Sequence, residues 1–142
     1  MLFRSNLACV NDVPLWHTMQ EWNIVDTREI EQFTVELAWA YEDLPLSYVF
    51  ETAEEIEEHA DRCRRYIDTH YVARVRVLYD GVEMGSDYLG SCYAYDMDPA
   101  QDMLEEQCGG YIEQMIDTAM DDARAETVRM IARLKKDFLG VI

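Results

Sequence analysis

Between Phe33 and Tyr41 the apolar positions recur at every second residue. Phe33, Val35, Leu37, Trp39 and Tyr41 alternate with Gln32, Thr34, Glu36, Ala38 and Ala40. That period predicts a strand with one buried face. A helical reading stays open, because Asp26 and Glu29 are spaced as a capping box and Ile30, Phe33, Leu37 and Tyr41 as a helical stripe. Leu44-Pro45 ends the element either way. Further on, Tyr71, Ala73, Val75, Val77 and Tyr79 alternate with Val72, Arg74, Arg76 and Leu78, and Asp80-Gly81 then gives a two-residue hairpin signal. A returning strand is expected from Val82 to about Tyr95, with Gly85 and Gly90 marking a bulge or a strand bent over a helix.

Three segments carry helical spacing instead. Asp12 before Val13-Pro14, followed by Leu15, Met19 and Trp22, predicts a short helix that ends near Asn23. Thr52 with Glu55 makes a capping box for Ile56, Ala60, Cys63 and Ile67, so about 17 residues from Ala53 should form an amphipathic helix roughly 25 Å long. Asp98-Pro99 opens a helical turn that Gly109-Gly110 interrupts. After it Ile112, Met115, Ile116, Ala119, Ala123, Met130, Leu134 and Phe138 mark a long terminal helix. The order predicts an α+β fold: a small antiparallel sheet, including the hairpin near 71–95, packed against the long C-terminal helix and one or two further helices. Sheet edges in such a fold can pair with another copy.

The length of 142 residues, 49% of them apolar, suits a single domain over residues 1–142. No apolar run reaches the roughly 18 residues of a membrane span or forms a signal-peptide core, so a soluble cytoplasmic protein is expected. Cys9, Cys63, Cys92 and Cys108 are widely spaced without a Cys-x-x-Cys pair, and free thiols are expected.

Charge changes the picture most. The net charge of −17 argues against direct binding to nucleic acid or to anionic membranes. It is also segregated: residues 26–70 hold four basic and thirteen acidic side chains, residues 96–126 one and ten, and residues 127–142 four and one. On helices, Glu51 and Glu55 with Glu54, Glu58 and Asp61, and Asp117 and Asp121 with Asp122 and Glu126, form lines of negative charge. Duplex DNA is also a negative lattice, with one charge per ~1.7 Å of axis. These nine residues are therefore the candidate partner-binding set. They would occupy the basic groove of a nuclease, methyltransferase, polymerase or RNA-guided complex. The plainer reading of the same residues is a solvated surface that confers solubility.

Other chemistry is less well supported. Asp96, Asp98 and Asp102, or Asp117, Asp121 and Asp122, offer hard oxygen ligands but lack an EF-hand's glycine turn and terminal Glu. His59 and Cys63 lie at i and i+4, with His70 beyond, yet a zinc site needs ligands the spacing does not supply. Cys92, Ser86 and Ser91 could serve as nucleophiles with His17, His59 or His70 as bases, although no known signature surrounds them. Gly85 to Gly90 lacks the Lys and helix start of a phosphate loop. The expectation is a non-enzymatic protein with no cofactor and no metal, the alternatives being a metal-dependent or thiol enzyme or a homo-oligomeric interaction protein. The basic tail of Arg129, Arg133, Lys135 and Lys136 could meet the acidic face of a second copy, giving a homodimer.

Tyr71-Val-Ala-Arg-Val-Arg-Val, Asp80-Gly-Val-Glu-Met-Gly, Leu89-Gly and the acidic, Ala-rich stretch from Ala119 to Ala125 resemble small phage-encoded proteins of unassigned function, over about half the chain. In size and charge the chain is similar to phage inhibitors of restriction or CRISPR systems. The resemblance implies an acidic inhibitor of a host defence or regulatory complex and carries no catalytic residue across.

Overall fold

The computed structural model describes residues 21–140 and the short strand pair β1 (Cys9–Val10) and β2 (Val13–Pro14). Four further strands, β3 (Asn23–Ile30), β4 (Phe33–Tyr41), β5 (Thr69–Tyr79) and β6 (Val82–Ala94), form one antiparallel sheet in sequence order. The helix α1 spans Ala53–Arg64 and the long helix α2 spans Ile112–Leu139. Between β6 and α2 the chain passes through a helical turn at Pro99–Gln101 and a π-helical turn at Asp102–Glu106. The architecture is α+β, with the long terminal helix laid on one sheet face.

The strands expected from Phe33 to Tyr41 and from Tyr71 to Tyr79 are β4 and β5, but the expectation of one buried face is corrected: Glu36, Ala38, Ala40, Val72 and Arg74 are buried on the second face as well, and Tyr41 and Tyr79 at the strand ends are exposed. Val35, Leu37, Tyr71, Ala73, Val75 and Val77 bury one face, against Ile112, Met115, Ile116, Ala119, Met120 and Ala123 of α2. Asp80 and Gly81 both have positive φ, 49° and 79°, as a two-residue hairpin whose twist matches its strands requires. The register of β6 slips beside both expected glycines, between the pairs Val77↔Gly85 and Leu78↔Glu83 and again near Gly90. At Gly85 the helix touches the strand: a Cβ there would lie 2.3 Å from the carbonyl oxygen of Ala119. Glycine is thus the residue that lets α2 seat.

Three further expectations are corrected. β3 was not foreseen, and the helical alternative built on Asp26 and Glu29 is replaced by a strand. Asp26 bonds Arg28 and Glu29 accepts from Thr34 across the hairpin. A register shift between Ile24 and Asp26 breaks the period of two, and β3 is an edge strand with no fully buried residue, so no alternation is visible. The helix expected after Asp12 falls largely on residues 15–20, outside those described. Val13–Pro14 within it is a strand paired with Cys9–Val10. Finally, α1 stops at Arg64 without reaching Ile67. Tyr66 takes a left-handed conformation (φ 60°), and the N–H groups of Tyr66 and Ile67 donate to the carbonyls of Cys63 and Arg62, a capping turn that usually employs glycine.

Candidate functional site

Thr52 starts α1 as expected: its hydroxyl accepts the Glu55 N–H at 3.1 Å, and the Glu55 carboxylate accepts the Thr52 N–H at 3.2 Å. This fixes the helix in register and displays Glu51, Glu54, Glu58 and Asp61 to solvent. α1 reaches the sheet through His59 and Cys63, which contact Tyr93. Tyr93 lies opposite His70 in the ladder, whereas its neighbour Cys92 lies opposite Tyr71 in the core. By strand alternation, α1 therefore sits on the face turned away from α2. The two predicted acidic rows are not brought together: one flanks each side of the sheet.

The rows also differ in how much of their charge is compensated. Asp61 pairs with Arg64 and Arg65, Asp121 with Arg124, and Glu126 with Arg129, while Glu55 is occupied by its cap. Glu51, Glu54, Glu58, Asp117 and Asp122 are exposed and form no ion pair among the described residues. Their cations are elsewhere. Every arginine from Arg28 to Arg129 is already ion-paired. Of the remaining described bases, Arg133, Lys135 and Lys136 sit at the far end of α2.

Much of that pairing lies on the sheet face that carries His70. Glu36 accepts from Arg74 at 3.0 Å and from Arg76 at 3.2 Å, and the Arg74 guanidinium lies 4.2 Å from the ring centre of Trp22. Burial, reinforced by the neighbouring Arg76, lowers the Arg74 pKa. At the α1 end, the Asp68 carboxylate is fully buried. It accepts from Arg62 Nε at 2.7 Å, from the Tyr93 hydroxyl at 2.7 Å and from the Asp96 N–H at 2.8 Å. Burial opposes its charge, but these hydrogen bonds outweigh it and hold the Asp68 pKa below the usual value. The sequence contains no sign of this hub, because Tyr93 and Asp96 meet Asp68 only through the fold.

Among the described residues the α2 face has one buried polar cluster. The Tyr71 hydroxyl donates to Asp102 at 2.5 Å and lies 3.2 Å from the Cys108 sulfur. Burial raises the Asp102 pKa. The neighbouring Cys108, followed by burial, pushes the Cys92 thiol up, while the proximity of Cys92 and Tyr71 holds Cys108 down against burial. Gln107, Cys108, Gly109 and Gly110 all have positive φ, so the interruption expected at Gly109-Gly110 begins two residues earlier and turns Cys108 into the core.

The other candidates are dispersed. Cys92 is buried and its thiol donates to the Leu89 carbonyl, which with its raised pKa makes it a poor nucleophile. His59 stacks on Phe50 with ring centres 3.8 Å apart, and His70 is a buried neutral side chain whose pKa burial lowers. His17 lies outside the described residues. Among the described residues no histidine hydrogen-bonds Cys92, Ser86 or Ser91, and no three His, Cys, Asp or Glu side chains converge as a metal site. Asp98 caps the turn at Gln101, while Asp102 faces Tyr71. Cys63, Cys92 and Cys108 are free thiols. Among the described residues no helix is long and apolar enough to cross a membrane. Comparison with protein-family models, with curated proteins and with solved structures finds no match for the chain.

Proposed function

We propose that the chain is a non-enzymatic, acidic binding protein, phage- or mobile-element-encoded and acting in the host cytoplasm. In this reading it inhibits a defence complex, of the restriction or CRISPR kind, or a regulatory complex by occupying its basic nucleic-acid-binding surface. The observation that carries the reading is the placement of charge. The arginines from Arg28 to Arg129 are engaged within the fold, and Glu51, Glu54, Glu58, Asp117 and Asp122 are left exposed without cationic partners among the described residues. α1 makes the comparison with nucleic acid quantitative. Its 12 residues cover about 18 Å. One strand of a duplex carries roughly five phosphates over that length, at ~3.4 Å each. α1 carries five carboxylates over that length, Glu54, Glu55, Glu57, Glu58 and Asp61, with Glu51 just ahead of it; Glu55 is engaged by the cap, and Glu57 and Asp61 by Arg64 and Arg65. α1 thus approaches one strand of nucleic acid in the number of its carboxylates, Glu51, Glu54 and Glu58 being the uncompensated ones at this end, and the row on α2 is a second, separate one.

The test is affinity capture from a lysate of the source cells, with elution by salt and by competing duplex DNA or RNA. The reading expects a nucleic-acid-binding complex that either nucleic acid displaces. Glu51→Lys/Glu54→Lys/Glu58→Lys or Asp117→Lys/Asp122→Lys should abolish capture while the circular dichroism spectrum is unchanged, and whichever does so identifies the working face. Partners indifferent to nucleic acid, or retained by both variants, would overturn the reading.

A further inference from the structure

The buried positions of α2 end at Ala123. From Val128 to Leu139 the helix runs on for about 18 Å with no buried residue, a length at which an isolated helix is marginal in water. Yet the apolar stripe continues: Met130, Ile131, Leu134 and Phe138 follow Ala123 at helical spacing and are exposed, Phe138 at 78%. Where the helix leaves the sheet, the stripe joins the hairpin tips in a groove of about 670 Å³ whose apolar wall is Phe33, Tyr79, Met84, Met130, Ile131 and Leu134.

We propose that this groove and the bare helix end are the interface of a two-fold homodimer, in which the α2 helices of two copies cross antiparallel near Ile131. Charge selects the occupant. A second copy also carries −17, so most of its surface is repelled. The exception is the stretch 127–142, with four basic side chains and one acidic, of which Arg133, Lys135 and Lys136 have no ion pair among the described residues. Antiparallel crossing near Ile131 sets Lys135 and Lys136 at the level of Thr127 and Glu126 of the other helix, one turn from its Asp122, whereas parallel crossing would set basic end against basic end. The same crossing brings the partner's Phe138 to the level of Arg124 and Thr127, which line the groove. A two-fold axis satisfies both grooves with one contact. This inference is independent of the proposed inhibitory role.

Sedimentation velocity at low and high micromolar concentration is the test. The parent chain should be a dimer that Ile131→Asp/Leu134→Asp reduces to monomer. Lys135→Glu/Lys136→Glu should weaken it at least tenfold at low salt, and Glu51→Lys/Glu54→Lys/Glu58→Lys should leave it dimeric. Under mild oxidation by oxidised glutathione, Ile131→Cys should give a disulfide-linked dimer and Phe138→Cys should not. A parent chain that is monomeric at every concentration overturns the proposal, as does a dimer that the aspartate variant retains. Cross-linking through both cysteine positions overturns the antiparallel arrangement.

Discussion

The two faces of the central strand β5 solve the burial of polar groups in opposite ways. On the α2 side, Tyr71, Ala73, Val75 and Val77 face an apolar layer, and a carboxylate buried there, Asp102, has its pKa raised by burial. On the other side, His70, Arg74 and Arg76 are accompanied by Glu36 and Asp68, and Asp68 is held charged. Each aspartate accepts from a tyrosine hydroxyl, Tyr71 or Tyr93. The difference is the guanidinium of Arg62 and the Asp96 N–H, which only Asp68 receives. Burial alone thus does not fix the state of a carboxylate; the donors that accompany it do.

Breaking the ionic face should have the largest effect. Glu36→Ala would remove the ion pair of the buried Arg74 and leave Arg76 beside it with only Glu83, and removing one partner of a buried pair costs about 3–5 kcal/mol. Urea denaturation at neutral pH would measure it, and a loss below that for an ordinary surface substitution would show that water reaches the cluster. On the apolar face, Gly85→Ala is the corresponding probe. The added methyl meets the backbone of Ala119 and Ala123 rather than a movable side chain, so overpacking of about 1–3 kcal/mol is expected by the same measurement.

The two aspartates sharpen the contrast through pH. Asp68 is depressed in the folded state, so its stabilisation is present above the unfolded carboxylate pKa and is lost as pH falls through the folded value. Asp102 is raised, so its contribution is fully present below the unfolded pKa and is lost as pH rises through the folded value. Stability measured from neutral pH into the acid range should therefore fall less steeply in Asp68→Asn than in the parent, and more steeply in Asp102→Asn. Equal slopes in the two variants would remove the distinction between the faces.

What was legible in the sequence divides along similar lines. Devices confined to a few consecutive residues could be read directly: Asp80-Gly81, Thr52 with Glu55, the break at Gly109-Gly110 and the alternation of β4 and β5. β3 was hidden because Val25 sits in the register shift that puts Ile24 and Asp26 out of phase. The end of α1 was hidden because Tyr66 occupies the left-handed position where glycine would have announced a stop. The candidate acidic residues could be identified by type and helical spacing. Their division between two sides of the sheet could not, since it depends on Cys63 and His59 meeting Tyr93 some thirty residues along the chain. Their compensation was in part legible, since Asp61 pairs with Arg64 and Arg65, Asp121 with Arg124 and Glu126 with Arg129 at three or four residues' spacing, whereas the engagement of Arg28 by Glu113 depends on the fold.

The smallest expected effect bears most directly on function. Glu54 lies in the first turn of α1, where a negative charge favours the helix dipole, so Glu51→Gln/Glu54→Gln should be neutral or slightly destabilising. Asp117 and Asp122 lie well inside α2, too far from either end to interact favourably with its dipole, and they have no ion pair among the described residues. They add only to the self-repulsion of a chain at −17. Asp117→Asn/Asp122→Asn should therefore raise the melting temperature by a few degrees at low salt, with the gain vanishing as salt screens the repulsion. If the gain is observed, these two charges oppose folding and need another reason to be present, which a basic partner supplies. If instead stability falls, the α2 row contributes to the fold itself, and α1 alone is left as the surface that resembles nucleic acid.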